Sequence, residues 1–335
     1  MQNQHITPQN PENDTIRTYT NPLSNITNIG DPYILKYNNE YYMYATSSRD
    51  GFKVWQSDNL IDWQVKGLVL DKNNPANNWG TGSFWAPEVK YIAGKFYMTY
   101  SARTVNDKMK IRIAVSVNPL GPFINWSEPF LESDEFSYID ADLFLDGKKI
   151  FMFFTKDCSL NIIEGKHTSQ IYVAQLSKDL KSFASQPILA TTPDQAWENP
   201  DREWRWNEGS FVMKHDNTFY LMYSANVYDS PNYSVGYATA AHPLGPWIKY
   251  AGNPILKKDM SIHVSGPGHN SITTSPNDKE LFMVYHTHTF YDKPSGNRNL
   301  CIDRMFFENG VIKVQGPTRS PQPLPGGVKY RIIKK

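Results

Sequence analysis

Four acidic residues and one histidine stand at matching places in a repeated pattern. Asp31, Glu88, Asp140, Glu208 and His269 each precede an aromatic-rich segment by 9 to 13 residues. Their local sequences are Gly30-Asp31-Pro32-Tyr33-Ile34, Trp85-Ala86-Pro87-Glu88, Ile139-Asp140-Ala141, Glu208-Gly209-Ser210 and Gly268-His269-Asn270-Ser271. Carboxylates held close together oppose joint ionisation. A fold that gathers these four acids at one spot therefore pushes their proton affinities apart, leaving one protonated while another stays ionised. That division is what acid–base catalysis requires.

The elements that must do the gathering are visible as a repeat. An aromatic strand recurs as Glu40-Tyr41-Tyr42-Met43-Tyr44, Lys95-Phe96-Tyr97-Met98-Thr99-Tyr100, Lys149-Ile150-Phe151-Met152-Phe153-Phe154, Thr218-Phe219-Tyr220-Leu221-Met222-Tyr223 and Glu280-Leu281-Phe282-Met283-Val284-Tyr285. From Tyr42 through Tyr97, Phe151 and Tyr220 to Phe282 the steps are 55, 54, 69 and 62 residues. Most copies follow a β-rich run through a turn rich in Asn, Asp or Gly, such as Asn38-Asn39, Ala93-Gly94 and Asp146-Gly147; this is the mark of a hairpin. Third strands follow at Phe52–Trp55, Ile111–Val115, Ile171–Ala174 and Val235–Ala238. The turn Asn118-Pro119-Leu120-Gly121-Pro122-Phe123 is nearly duplicated as His242-Pro243-Leu244-Gly245-Pro246-Trp247. Short strands at a regular period predict an all-β fold, a five-bladed β-propeller. A large sandwich has no reason to repeat this way. In a propeller the first strand of every blade lines the axis, so the five entry residues converge on one mouth.

Composition narrows the class. Lys plus Arg is 34 and Asp plus Glu is 33, a net charge of 34 − 33 = +1. No field of one sign exists to attract nucleic acid or an anionic membrane surface. The chain is 40% hydrophobic and 14% aromatic, ample for a core. No apolar run approaches the roughly 20 residues of a membrane helix. Two cysteines, Cys158 and Cys301, make no disulfide framework and no four-thiolate zinc site, though their number permits one bridge. The polar N-terminus lacks the basic and apolar regions of an export signal, so the expected location is cytoplasmic.

The five motifs, in this order, resemble those of glycoside hydrolase family 43, and the resemblance runs from about Asp31 to Pro325. It implies a five-bladed propeller that hydrolyses arabinofuranosides or xylosides with inversion. It implies Asp31 as the general base, Glu208 as the general acid, and Asp140 as the carboxylate that tunes the acid. Inversion places base and acid on opposite faces of the sugar, with water between. Asp142 lies two residues past Asp140, on the same face of a regular strand, and takes the tuning role if the register shifts by two. Glu88 is expected to be structural or sugar-positioning.

Substrate-binding candidates are Trp85, Trp206, His269, His288 and Arg304. Trp85 is the better stacking platform; Trp206 follows Trp204-Arg205 and could equally be core. His286 and His288 share a strand face, and one of them is expected to line the pocket. His-x-His alone is weak ground for zinc. The resemblance implies that Arg304 binds sugar hydroxyls, and that His269 can help hold calcium or another ion near the axis; no cofactor is required. The whole chain, 1–335, is expected to form one catalytic domain. Residues 1–25 make an extended N-terminal segment. Residues 317–335 form an extension packed on the propeller, with a strand near Val328 to Ile333. The expected activity is exo-acting α-L-arabinofuranosidase on arabinan or arabinoxylan fragments. The alternatives are an endo-α-1,5-L-arabinanase, a β-xylosidase, or a non-catalytic carbohydrate-binding propeller.

Overall fold

The structure, a computed structural model, describes residues 17–23, 26–131, 135–199 and 201–328. Strands dominate; the helical elements among these residues are three single 3-10 turns, none long and apolar enough to cross a membrane. Five antiparallel sheets of four strands follow one another along the chain, each in simple sequential order. Sheet one comprises Gly30–Tyr37, Glu40–Thr46, Gly51–Ser57 and Gln64–Asp71; sheet two comprises Gly82–Ile92, Lys95–Arg103, Met109–Ser116 and Ile124–Asn125. Sheet three comprises Tyr138–Asp146, Lys149–Lys156, Gln170–Gln175 and Ile188–Thr191. Sheet four comprises Asn207–His215, Thr218–Ala225, Ser234–Ala240 and Ile248–Lys249; sheet five comprises Gly268–Thr274, Leu281–His288, Arg298–Glu308 and Val311–Val314. The first strand of each sheet contacts the first strand of the next, and that of sheet five contacts that of sheet one.

The aromatic strand of the repeat is the second strand of every sheet. Aromatic side chains fill the space between sheets: Phe52, on the third strand of sheet one, meets Phe84 and Tyr100, on the first and second strands of sheet two, edge-on at 5.9 and 5.6 Å. The duplicated Pro-Leu-Gly-Pro turns each deliver one ring backwards. Phe123 packs on Tyr44 of sheet one at 6.1 Å, and Trp247 packs on Phe153 of sheet three at 5.7 Å. Rings meeting edge to face add about 0.5–1.5 kcal/mol to the burial of their area, so the repeated turns act as clasps between successive sheets.

Segments from both ends of the described chain cover sheet five. Thr18–Tyr19 pairs with Gln322–Pro323, Asn21 bonds both the N–H and the carbonyl of Ile302, and Thr318 bonds Asp303. Residues 329–333 of the expected terminal strand lie outside the described residues, as do residues 1–16. Cys158, in the turn after the second strand of sheet three, and Cys301, on the third strand of sheet five, are both buried free thiols, so no bridge joins them.

Candidate active site

Each first strand breaks step with its neighbour at the same height. Two residues oppose one between Gly30 and Tyr33, Trp85 and Glu88, Ile139 and Asp142, Glu208 and Phe211, and Gly268 and Ser271. The leading bulged residue has positive φ every time: Asp31 54°, Ala86 46°, Asp140 55°, Gly209 60° and His269 50°. Such a bulge bends the strand and removes one N–H from the ladder, and that donor must be satisfied elsewhere. The second strand of the preceding sheet supplies the acceptor. Asp31 N donates to His286 Nδ1 (3.2 Å), Ala86 N to Thr46 Oγ1 (2.9 Å), Asp140 N to Ser101 Oγ (3.1 Å) and His269 N to Ser224 Oγ (2.7 Å). Sheet four departs from the rule: Gly209 N donates to Asp140 Oδ2 (3.2 Å). The matching hydroxyl, Thr155 Oγ1, is buried without a partner.

These bulges re-sort the entry residues. Asp31, Asp140 and His269 occupy the bulge, Glu208 the residue before it, and Glu88 the residue that resumes pairing two places later. The sequence alignment placed all five as equivalent, because it counted residues from the aromatic strand without the extra bulged position. Asp31, Asp140, Glu208 and His269 line one cavity of about 320 Å³, together with Trp85, Trp206, Asp157, Tyr228 and Arg298. Glu88 does not reach it. Asp142 is Glu88's true counterpart, and both lie deeper, so the alternative that Asp142 shares the mouth is not realised.

Within the cavity the carboxyl groups differ sharply. Asp31 Oδ1 accepts from Arg298 at 2.8 Å and lies 3.2 Å from His269 Nδ1, while Oδ2 accepts from Thr46 at 2.6 Å. Burial alone would raise its pKa. Arg298, His269, His286 and the Thr46 hydroxyl outweigh burial and hold Asp31 below the usual carboxylate range. Glu208 is pushed well above its ordinary value by burial and then by the negative charge of Asp140; the Tyr233 hydroxyl, bonded to Oε1 at 2.9 Å, works in the opposite direction. Asp140 lies between, raised to about 6 chiefly by burial, with His269 and the Gly209 N–H opposing. One carboxylate and one carboxylic acid therefore face a single cavity.

Sequence reasoning missed Arg298. It chose Arg304 from the same strand, and the structure places Arg304 elsewhere: its guanidinium bonds Glu280 (2.7 Å) and the carbonyls of Pro323 and Leu324 (both 3.0 Å). Arg298 reaches Asp31 because residue 30 is glycine; a Cβ there would lie 1.9 Å from Nη2. His288 does not line the cavity either. Its ring is held by Ser265 (2.9 Å) and the Tyr228 carbonyl (2.9 Å), behind the wall. His286 is the member of the pair that touches Asp31. Both tryptophans line the cavity as expected. Asp157 and Tyr228 carry no repeat signal, since they come from connections beyond the hairpins.

Below the cavity, Lys90 Nζ pairs with Asp142 at 2.8 Å and lies 5.0 and 4.9 Å from the Tyr33 and Phe211 rings. Glu88 beside them is raised well above its usual value, first by burial and then by Asp142, and stays protonated. Lys90→Met removes the cation that compensates Asp142. Breaking a buried pair from one side costs about 3–5 kcal/mol, so urea unfolding should show a loss of that order, with the denaturant slope unchanged.

His269 directs Nδ1 at Asp31, and the positive charge beside that carboxylate is already supplied by Arg298. Among the described residues no group of three or more His, Cys, Asp or Glu side chains could hold a metal. The mechanism proposed below uses only protein side chains and water.

A carboxyl group and a carboxylate with opposite biases, facing one small aromatic-walled cavity, are the groups that acid–base chemistry needs, and comparison with known proteins gives the family. The family model for glycosyl hydrolases family 43 matches residues 19–312. The solved structure of a thermostable family-43 glycoside hydrolase is 56% identical, with a TM-score of 0.90 over 92% of this chain and 99% of the other. The chain belongs to glycosyl hydrolases family 43. A solved structure described as an endo-1,4-beta-xylanase from Bacteroides thetaiotaomicron is 31% identical, TM-score 0.76, over 90% of this chain and 98% of the other. Alpha-L-arabinofuranosidase 43 of Humicola insolens is 28% identical over 326 residues, and an extracellular exo-alpha-(1->5)-L-arabinofuranosidase of Streptomyces avermitilis is 27% identical over 288. These alignments take in 90% and 82% of this chain but only 65% and 57% of the two relatives. The second is extracellular, so the cytoplasmic expectation finds no support in it.

Proposed function

We propose that the protein is an inverting glycoside hydrolase that releases a terminal pentose, acting as an α-L-arabinofuranosidase on arabinan or arabinoxylan fragments. The five sheets are read as the blades of a five-bladed β-propeller; the cyclic contacts of their first strands and the five matching bulges support this. The observation that carries the function is the convergence of Asp31, Asp140 and Glu208 on one cavity, with Arg298 and Thr46 bonded to Asp31 while Glu208 is buried against Tyr233 with no cation among the described residues bonded to it.

The roles follow from those contacts. Asp31, ionised and oriented by Arg298 and Thr46, accepts a proton from water as the water oxygen bonds to the anomeric carbon. The bond from that carbon to the leaving oxygen breaks in the same step, and Glu208 gives that oxygen its proton. Attack from the face opposite the leaving group inverts the anomeric configuration. Asp140 keeps Glu208 protonated by its charge and holds the strand that carries it through the Gly209 N–H. Trp85 and Trp206 offer faces for sugar stacking. A volume of about 320 Å³ sits at the small end of ligand pockets, roughly 300–1,000 Å³, which suits one pentose and a water. The names of the curated arabinofuranosidases favour arabinose as that pentose.

The test is turnover of p-nitrophenyl α-L-arabinofuranoside against p-nitrophenyl β-D-xyloside, with NMR of the first-formed anomer. Faster arabinoside hydrolysis with inversion is expected. Faster xyloside hydrolysis would move the protein to the xylosidases; no turnover of any pentoside would leave a binding propeller.

Endo action is the second reading, favoured by one feature. A further cavity of about 590 Å³ shares Thr46, Trp85, Gly296 and Arg298 with the first and adds Ser47, Ser48, Thr81 and Ser83. A continuous groove of this kind can seat more than one sugar. Linear arabinan distinguishes the two: arabinose alone as early product means exo release, and a ladder of oligosaccharides means endo cleavage.

A further inference from the structure

Tyr233 is fully buried immediately before the third strand of sheet four, and its hydroxyl donates to Glu208 Oε1 at 2.9 Å. Its ring lies parallel to that of His286, with centroids 5.6 Å apart and 1° between the planes. His286 in turn accepts the N–H of Asp31. The space for the ring exists because residue 268 is glycine: a Cβ there would stand 2.2 Å from Tyr233 Cδ1. Tyr233 is thus wedged between the strand that carries His269 and the residue proposed as general acid, and it is stacked on the histidine that fixes the backbone of the proposed base.

We propose that Tyr233 is a positioning residue that decides which oxygen of Glu208 delivers the proton. This rests on the reading of Glu208 as the acid. A phenol can donate only to an oxygen that does not carry the carboxyl hydrogen in that direction. With Oε1 engaged as acceptor, the transferable proton resides on Oε2. When it leaves for the departing sugar oxygen, the negative charge that appears on the carboxylate is met by a donor already in place. A hydrogen bond to an ionised acceptor is about twice as strong as one to a neutral acceptor, so the contact strengthens as the proton transfers.

The other charged or titratable groups facing Glu208 are Asp140 from sheet three, Asp157 and Cys158 from the connection after its second strand, Asp31 from sheet one, and Tyr228 from the connection after the second strand of sheet four. His269 and His286 approach from sheet five. Burial and the Glu208 charge keep Tyr233 itself protonated far above its usual range, so it remains a donor throughout the working pH range.

The test is Tyr233→Phe, which keeps the ring and its stacking, assayed on two substrates with different leaving groups. A sugar alkoxide needs protonation to depart; p-nitrophenolate hardly does. The expected result on an arabino-oligosaccharide is a fall in kcat of about 10–100-fold with KM nearly unchanged, less than the roughly 10²–10⁴-fold that loss of the general acid itself costs. On p-nitrophenyl arabinofuranoside the fall is expected to be about threefold or less by the same reasoning. The donor favours ionised Glu208, so its removal should move the alkaline limb of kcat upward by about one pH unit. Gly268→Ala, which displaces the ring but keeps the hydroxyl, should show the same leaving-group signature. Equal losses on both substrates, or an unmoved alkaline limb, would reduce Tyr233 to a packing role and overturn the proposal. Glu208→Gln serves as the separate control: if it shows no leaving-group dependence, the assignment of the acid fails rather than that of its positioner.

Discussion

Asp31→Asn should lower kcat on every pentoside, whatever the leaving group, by about 10²–10⁴-fold, the span of a single general base. The amide keeps the size of the side chain; its oxygen can still accept from Arg298, and its NH2 can donate to the Thr46 hydroxyl in place of the bond that hydroxyl now gives Oδ2, so the folded state should survive. What it loses is the ability to take the proton of the attacking water. Asp31→Ala removes the same base and opens space beside the anomeric carbon. Added azide should enter that space and restore turnover. The azide lone pair forms the new bond to carbon, the leaving oxygen departs with the Glu208 proton, and the product is the inverted glycosyl azide. Detection of that azide by mass spectrometry and NMR fixes both the position and the face of the base. If Asp31→Ala stays inactive with azide while remaining folded, or if Asp31→Asn retains full activity, the base lies elsewhere. Because Arg298 and two histidines hold Asp31 ionised, the wild-type acid limb should lie below the range set by an ordinary aspartate.

Glu208→Gln is the second large effect, and it should depend on the leaving group where Asp31→Asn does not. On arabino-oligosaccharides the loss should again be about 10²–10⁴-fold. On p-nitrophenyl arabinofuranoside it should be much smaller. The pH profile adds an independent check. Glu208 works only while protonated, and burial and Asp140 raise its pKa; wild-type activity is therefore present below that raised value and lost as pH climbs through it. Glu208→Gln should abolish this alkaline limb. Asp140→Asn removes the like charge, so the limb should move down in pH while KM changes little. A limb that stays in place in Asp140→Asn would separate Asp140 from the tuning role.

Much of this architecture could be read before any coordinates. Alternating aromatic and β-branched residues make strands, and Asn, Asp and Gly at their ends make hairpins, because both preferences act over a few residues. The five second strands lie where the aromatic repeat placed them, and four of the five entry motifs deliver a polar side chain to the cavity. The two wrong choices, His288 and Arg304, and the one left open, Asp140 or Asp142, have a common origin. Asp140 and Asp142, His286 and His288, and Arg298 and Arg304 are all separated by even steps along a strand. Alternation puts each pair on one face and cannot choose between its members.

What the amino-acid sequence determined by itself is therefore the order of the hairpins in the five repeats and the motifs at their entrances, since these arise from short-range preferences repeated five times. The tertiary structure alone decided which members of those motifs meet. A bulge at positive φ in each first strand lifts Asp31, Asp140 and His269 to the mouth and sends Glu88 and Asp142 below it to Lys90. Arg298 stands at the mouth end of its strand, and Arg304 six residues on at the end covered by the terminal segments. Those choices depend on an N–H leaving its own ladder for a side chain of the preceding sheet, and on glycines that leave room for side chains of neighbouring strands. Such contacts join residues as far apart in sequence as Asp31 and Arg298, where no local preference reaches.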